Sequence, residues 1–188
     1  MPAPISEEQS RLDRAALLDA AERLFCERGF QALGMDEVRA ASGLPLKRIY
    51  RLFAAKEDLA VAMLKRRDRR WRGSLAAHVE QVPDPRERVL AVFDWLAEWF
   101  AEPGFRGCVR VNAHGELGSS SEAVLAEVRS HKRAFHDQIA VWVHAAGAPV
   151  AEPVLLLAEG AIVTAGITGD PAPARHARAA AATLLGTP

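Results

Sequence analysis

The sequence predicts an all-α protein of about nine helices. Three observations carry that prediction. Apolar residues recur at i, i+3, i+4 and i+7 along most of the chain, the stripe of a helix with one buried face. Turn formers at Gly29, Gly43, Pro83, Pro85, Pro103-Gly104 and Gly147 punctuate these stripes. The valine-rich patches Cys108–Val111 and Ile139–Val143 lack bounding two-residue hairpin turns and lie within longer helical stripes.

The elements follow in order. Leu12, Ala15, Leu17, Leu18, Ala21, Leu24 and Phe25 make residues 11–28 an amphipathic helix, with Gly29 available for a left-handed end. A short helix spans residues 35–42 and ends at Gly43. Another runs from Leu46 to Phe53, with Pro45 near its first turn, where a missing N–H costs little. A long helix spans residues 56–81, bounded by Pro83 and Pro85. Pro85 opens the next helix, which closes at Pro103-Gly104. A shorter one covers residues 105–116. Ser120 or Ser121 caps a helix reaching about residue 146. Two more, at 151–168 and 172–185, complete the chain.

At 188 residues, 49% apolar and 26% charged, the chain can bury a core without a disulfide or metal. Two cysteines, Cys26 and Cys108, exclude a disulfide scaffold and suit a reducing compartment. The N-terminal ten residues show neither the basic nor the apolar region of a secretory signal, so the expected location is the cytoplasm. The most apolar stretch, Val154 to Ile167, is interrupted by Glu159 and reads as too short to span a membrane.

Net charge is +0, but its distribution is uneven. Residues 43–72 hold 10 basic and 3 acidic side chains, while everything after residue 72 is net acidic. A basic segment on an otherwise acidic chain is an electrostatic footprint for phosphate or another anion. That segment opens with two short helices separated by Gly43-Leu44-Pro45, the arrangement of a helix-turn-helix. In such motifs the second helix enters the DNA major groove. Here Ile49, Leu52 and Phe53 would face the small core, leaving Lys47, Arg48, Tyr50 and Arg51 outward.

These residues resemble the TetR family of transcriptional repressors. The resemblance rests on residues 14–30 (RAALLDAAERLFCERGF), Val38 with Ala41-Ser-Gly-Leu44, Ile49-Tyr50 with Phe53, and Lys56-Glu57 with Leu59. It implies a helix-turn-helix DNA-binding domain at residues 10–55 and a ligand-binding and dimerisation domain at 56–188, joined by the helix 56–81. It also implies Tyr50 and Lys56 as phosphate contacts, and Leu46, Lys47, Arg48 and Arg51 as positions that choose bases. Arg48 suits guanine, because a guanidinium bonds O6 and N7 together. Two departures stand out: Gly34 and Ala55 occupy helix-cap positions where a Ser, Thr or Asn is usual. Of the run Lys65 to Arg72, the part nearer Lys56 is expected to add long-range attraction, and the rest to pair with Asp19 and Glu22 of the first helix.

For the second half the resemblance implies an effector pocket. Aromatic residues gather there, and such pockets are apolar with a few polar anchors. The candidate lining is Trp95, Trp99, Cys108, Asn112, His131 and Phe135, with Cys108 and Asn112 read as sharing a helix face. His131 lies on an apolar stripe and reads equally as a satisfied core histidine. Small residues in the last two helices suit a close helix–helix dimer interface. The expectation is therefore a homodimeric repressor of double-stranded operator DNA, released by a small apolar or aromatic effector. It needs no cofactor, metal or membrane and is not an enzyme. Alternatives are a repressor that senses electrophiles or oxidants through Cys108, and a helical interaction protein without DNA binding.

Overall fold

The computed structural model describes residues 6–186. The readings of the first five residues and of the chain's last two lie outside the described residues. Within them the chain forms α1 (Glu7–Arg28), α2 (Met35–Ser42), α3 (Leu46–Leu52), α4 (Lys56–Val79), α5 (Pro85–Phe100), α6 (Val109–Leu117), α7 (Glu122–Ala145), α8 (Ala151–Thr168) and α9 (Ala172–Leu184). No strand occurs among the described residues, and both valine-rich patches lie in helices apart from Cys108 itself.

Packing divides the chain into two compact units. One takes residues up to Arg67 together with Arg110–Val128, and the other takes Asp68–Val109 together with the chain from Arg129 onward. The three cuts fall inside α4, after the first residue of α6 and inside α7, whereas the division of tasks expected at residue 55 falls inside the first unit.

In the first unit, α1 begins four residues before the apolar stripe predicts. Ser6 Oγ accepts the Gln9 N–H at 3.1 Å, and Glu7 and Glu8 sit in the first turn, where the helix end is electropositive. Gly43 ends α2 in the left-handed region at φ 69°, and Pro45 precedes the first residue of α3. Leu17, Phe25, Phe30, Val38, Ile49, Phe53 and Leu59 form the buried interior. The two missing side-chain caps are compensated. Glu37 Oε2 accepts the Gly34 N–H at 2.9 Å, and Asp58 Oδ2 accepts the Ala55 N–H at 3.0 Å. Each is the reciprocal half of a capping box.

The second unit packs α5 against α8 and α9, and α8 against α9. Its core includes Leu75, Leu90, Phe93, Leu96, Phe135, Trp142, Val154 and Ile162, with Ala174, Ala177 and Ala181 allowing α9 to lie close. Asp84 caps α5, its Oδ1 accepting the N–H groups of Arg86 and Glu87 at 2.9 Å each.

The helix expected over 105–116 begins only at Val109. Gly104 and Gly107 have φ of 83° and 76°, values a right-handed helix does not admit. Cys108 therefore precedes α6, so the premise that it shares a helix face with Asn112 fails. Gly107 also lies against Gly166 of α8: a Cβ added to Gly166 would stand 2.7 Å from the Gly107 Cα.

The apolar stretch in the last third is longer than the sequence reading allowed. α8 spans 18 residues and is, by length and composition, apolar enough to cross a membrane. It instead contributes Val154, Ala158, Ala161, Ile162 and Ala165 to the core of the second unit and exposes Leu156, Val163 and Ile167.

Gly166→Ala is expected to cost about 1–3 kcal/mol through overpacking against backbone. Gly73→Ala, in α4 with nothing within 4 Å of the added carbon, is expected to add about 0.5–1 kcal/mol. Urea unfolding midpoints of the two variants, moving in opposite directions, are the check.

Candidate nucleic-acid interface

The face of α3 divides as its spacing predicts. Ile49 is fully buried and Phe53, just past the helix, is 5% exposed. Arg14 of α1 lies over the Phe53 ring, 4.4 Å from its centre. Tyr50 is 48% exposed, and Lys47 and Arg51 are exposed too. These three side chains make no ion pair among the described residues. They form a small cationic surface with one phenol, held by a helix whose other side is anchored.

Arg48 and Leu46 are placed differently. Leu46 is half-buried. The Arg48 Nε stands 3.2 Å from Asp13 Oδ2, and its Nη1 donates to Asp13 Oδ1 at 3.4 Å. Asp13 is itself buried and also accepts from Gln9 Nε2 at 2.8 Å. The guanidinium thus has an internal partner and would have to leave it to grip a guanine.

Lys56 is engaged more fully. Its Nζ donates to the carbonyls of Phe30 at 2.8 Å, Gln31 at 3.4 Å and Leu33 at 2.8 Å. An ammonium has three protons, and each has a carbonyl here. The backbone N–H groups of the first turn of α4 point outward along the helix axis without intrahelical acceptors, which leaves that end able to bind an anion.

In the basic run beyond Lys56 it is the nearer cations, and not the farther ones as the spacing suggested, that pair with α1. Arg66 Nη2 pairs with Asp19 at 2.8 Å and Glu22 at 3.0 Å, and Arg67 Nη1 with Glu22 at 2.8 Å. Glu37 pairs with Arg28. The Gly34 amide first, and the Arg28 guanidinium second, hold its carboxyl below the ordinary 4.5.

The aromatic candidates of the second unit come together around a residue that sequence reasoning passed over. The Trp71 ring lies 5.2 Å from Trp95, 5.4 Å from Trp99, 5.7 Å from His131 and 5.2 Å from Phe135, edge-on to each. Trp95 and Trp99 stack at 5.8 Å. Beneath them His131 donates from Nδ1 to Asp68 Oδ1 at 2.5 Å, and Arg72 donates to both Asp68 oxygens at 2.8–3.1 Å. The Asp68 carboxylate, by hydrogen bonding first, raises the pKa of the Arg72 guanidinium above its ordinary value. His131 is thus the satisfied core histidine that its apolar stripe allowed.

Two polar atoms near this cluster are buried without a hydrogen-bond partner: the Trp71 indole nitrogen and the Gln138 side-chain oxygen. The Gln138 amide nitrogen donates to the Arg72 carbonyl at 3.2 Å, so both orphans sit where α4 meets α7. A signal for Asp68 and Trp71 existed. Leu64, Asp68, Trp71 and Leu75 form one helical stripe, hidden in the sequence by four neighbouring cations.

The remaining candidates lie elsewhere. Cys108 is half-buried and Asn112 is exposed on α6. Residue Asn112 belongs to the first unit and Cys108 to the second. A separate open groove of about 360 Å³ runs between α8 and α9, lined by Leu156, Gly160, Ala161, Thr164, His176 and neighbours. Beside it the exposed apolar side chains include Ile167 at 81% and Leu156 at 69%.

A helix-turn-helix with an outward cationic face, followed by a helical unit with an exposed apolar surface, defines a class of nucleic-acid-binding regulators. Comparison with known proteins agrees. The family model for bacterial regulatory proteins of the tetR family matches residues 17–63. An uncharacterised HTH-type transcriptional regulator of Mycobacterium tuberculosis is 30% identical over 132 residues, covering 65% of this chain and 62% of that protein. The Escherichia coli repressor NemR is 30% identical over 111 residues, covering 58% and 56% respectively. The aligned stretch thus spans about three-fifths of these curated relatives.

Among solved structures, a TetR-family transcriptional regulator from Streptomyces coelicolor superposes with a TM-score of 0.85 at 27% identity, over 93% of this chain and 94% of that one. The reduced form of E. coli NemR shares the fold, with a TM-score of 0.83 at 24% identity over 94% and 99% of the two chains. Residues 17–63 are thus similar to the DNA-binding region of tetR-family regulators, and the chain shares the fold of a solved TetR-family regulator. Its relatives are regulators of transcription and not enzymes.

One surface pair gives the second unit a pH dependence. His136 of α7 bonds Asp137 and reaches Glu152 of α8 at 2.8 Å. Asp137 first and Glu152 second raise its pKa above 6.5. Because the folded value lies above the unfolded one, the stabilisation is complete below 6.5 and is lost as pH rises through the folded value. Glu152→Gln is expected to shrink the fall in urea midpoint between about pH 6 and about pH 8.

Proposed function

We propose that this protein is a homodimeric, effector-responsive transcriptional repressor acting in the cytoplasm on a near-palindromic operator. The observation that carries the reading is the α3 surface. Lys47, Tyr50 and Arg51 point outward from a helix whose opposite side is locked into the core by Ile49 and Phe53. Their roles divide by chemistry. The Tyr50 hydroxyl and the first-turn amides at Lys56 meet phosphate oxygens, which set register. Lys47 and Arg51 reach base edges, joined by Arg48 when it exchanges Asp13 for a guanine, and Leu46 packs on the groove wall.

Dimerisation supplies the spacing. Two recognition helices must lie about 34–36 Å apart to enter successive major grooves. The exposed apolar face of α8 and the groove beside α9 supply a self-complementary surface, since small residues permit close approach and Leu156 and Ile167 supply apolar area. The functional division into residues 10–55 for DNA and 56–188 for effector and dimer belongs to the same reading.

The effector site is the aromatic cluster, with Trp95, Trp99, His131 and Phe135 joined by Trp71. Cys108 and Asn112 remain candidates at the start of and within α6. The two orphan atoms give the effector its chemistry. The Trp71 N–H calls for an acceptor and the Gln138 oxygen for a donor, each at the edge of ring surfaces. Arg72 and His131 are already bound to Asp68, so a neutral aromatic compound fits better than an ion. Such a ligand acts only through its difference in affinity between the DNA-binding arrangement and another.

The test is retention of DNA from upstream of the protein's own gene against random DNA, at two salt concentrations. Selective, salt-sensitive retention is expected. Tyr50→Phe combined with Arg51→Ala is expected to weaken it and to relax its preference for the upstream fragment over random DNA, since one variant removes a neutral phosphate contact and the other a base contact. An interaction protein without DNA binding would show no change. Replacing Lys56 would not discriminate, because that side chain holds a turn of its own chain. Ile167→Asp with Leu156→Asp is expected to yield monomers by sedimentation; a dimer that persists would place the interface elsewhere.

A further inference from the structure

We propose that Glu116 of α6 is a positioning residue for DNA binding. Its carboxylate fixes the turn between α1 and α2 and, through that turn, the helix-turn-helix. The DNA readout of this inference rests on the regulator reading above; the structural readouts do not.

The Gly29 N–H still bonds the Phe25 carbonyl of α1 at 3.0 Å, but residues 30–33 lie between α1 and α2 and must find partners outside those helices. The Glu116 carboxylate serves the amides. Its Oε2 accepts the Phe30 N–H at 2.7 Å and the Gln31 N–H at 2.9 Å. Gln31 Nε2 returns a bond to the Glu116 carbonyl at 2.5 Å. The Lys56 ammonium serves the carbonyls of Phe30, Gln31 and Leu33. An anion on N–H groups and a cation on C=O groups of one segment both follow the peptide dipoles. Such charge-assisted bonds are the stronger kind.

Two features show that the close approach is built into the chain. Gly29 has φ 83°, and a Cβ there would stand 2.9 Å from both carboxylate oxygens of Glu116. Any other residue at 29 would be strained and would push the carboxylate away. The held segment also runs directly into the recognition motif. Leu33 precedes Gly34, whose amide is bonded by Glu37 at the start of α2. Arg28 and Glu37 are ion-paired across the same turn. From α2 only Gly43-Leu44-Pro45 intervenes before α3. A shift of the 30–33 segment therefore carries α2 and α3 with it.

The test uses the full chain with Glu116→Ala and Glu116→Gln. Hydrogen exchange at the Phe30 and Gln31 amides reports the clamp, amide chemical shifts over residues 35–52 report the pose of α2 and α3, and retention of the upstream fragment reports DNA binding. With Ala, exchange is expected to quicken by about ten-fold or more, the shifts to move, and retention to fall by about ten-fold, the scale of one lost charged hydrogen bond. Gln keeps one acceptor oxygen and is expected to lie between Ala and wild type; it carries the test should the Ala variant not fold.

Faster exchange with wild-type shifts and wild-type retention would overturn the proposal, leaving Glu116 as a local closure of the turn. Exchange unchanged in both variants would overturn it as well. If the wild-type protein fails to select the fragment over random DNA, the regulator reading fails, while exchange and shifts still decide whether Glu116 sets the motif.

Discussion

A backbone segment outside regular structure must find partners for its polar groups or lose the free energy of each unmade bond. Residues 30–33 are such a segment, and they are satisfied by side chains from elsewhere in the first unit. The partners come from distant parts of the chain: a carboxylate of α6 for the amides and the ammonium at the start of α4 for the carbonyls. Because that segment feeds α2, its anchoring decides where the recognition helix starts. The stacked pair Phe25 and Phe30, 4.6 Å apart, closes the apolar side of the same turn.

The division of cations follows from this economy. Arg66, Arg67 and Arg72 are bound to carboxylates, Arg48 leans on Asp13, and Lys56 is held by three carbonyls. What remains at the α3 surface is small: Lys47, Arg51 and the Tyr50 phenol. A basic count of this segment therefore overstates the charge available to a polyanion. Arg48, Arg66 and Arg67 tie α3 and α4 to α1, and a few cations stay exposed on α3.

The second unit shows the complementary pattern. Its polar groups are gathered beneath rings, with Asp68 binding both Arg72 and His131. Its apolar groups are divided between a packed interior and the uncovered face of α8. That helix is apolar nearly all round, which suits burial on more than one side. Val154, Ala158 and Ile162 meet the core, while Leu156 and Ile167 are exposed. The groove between α8 and α9 lies beside them.

Periodicity and turn residues alone were enough to read the nine helices of the described residues, the glycine ends of α1 and α2, and the outward turn of Lys47, Tyr50 and Arg51. These are local matters of periodicity, capping and the handedness that glycine permits, and they span few residues. Asp19 and Glu22 were legible as partners of the basic run, but which cations reach them, Arg66 and Arg67, depends on how α4 lies against α1. Helix starts were less legible. Ser6 extends α1 through a polar turn without apolar periodicity, and α6 starts late because Gly107 takes a left-handed φ in order to lie against Gly166. The tertiary structure alone decided the rest. Lys56 reads as a surface cation until Phe30 and Leu33 present their carbonyls to it. Trp71 reads as part of a charged run until four rings surround it. Glu116 carries no local signal at all, because its partners stand more than eighty residues away in the chain. Which polar group meets which across such a separation is fixed by how helices pack, and packing is written in no single stretch of sequence.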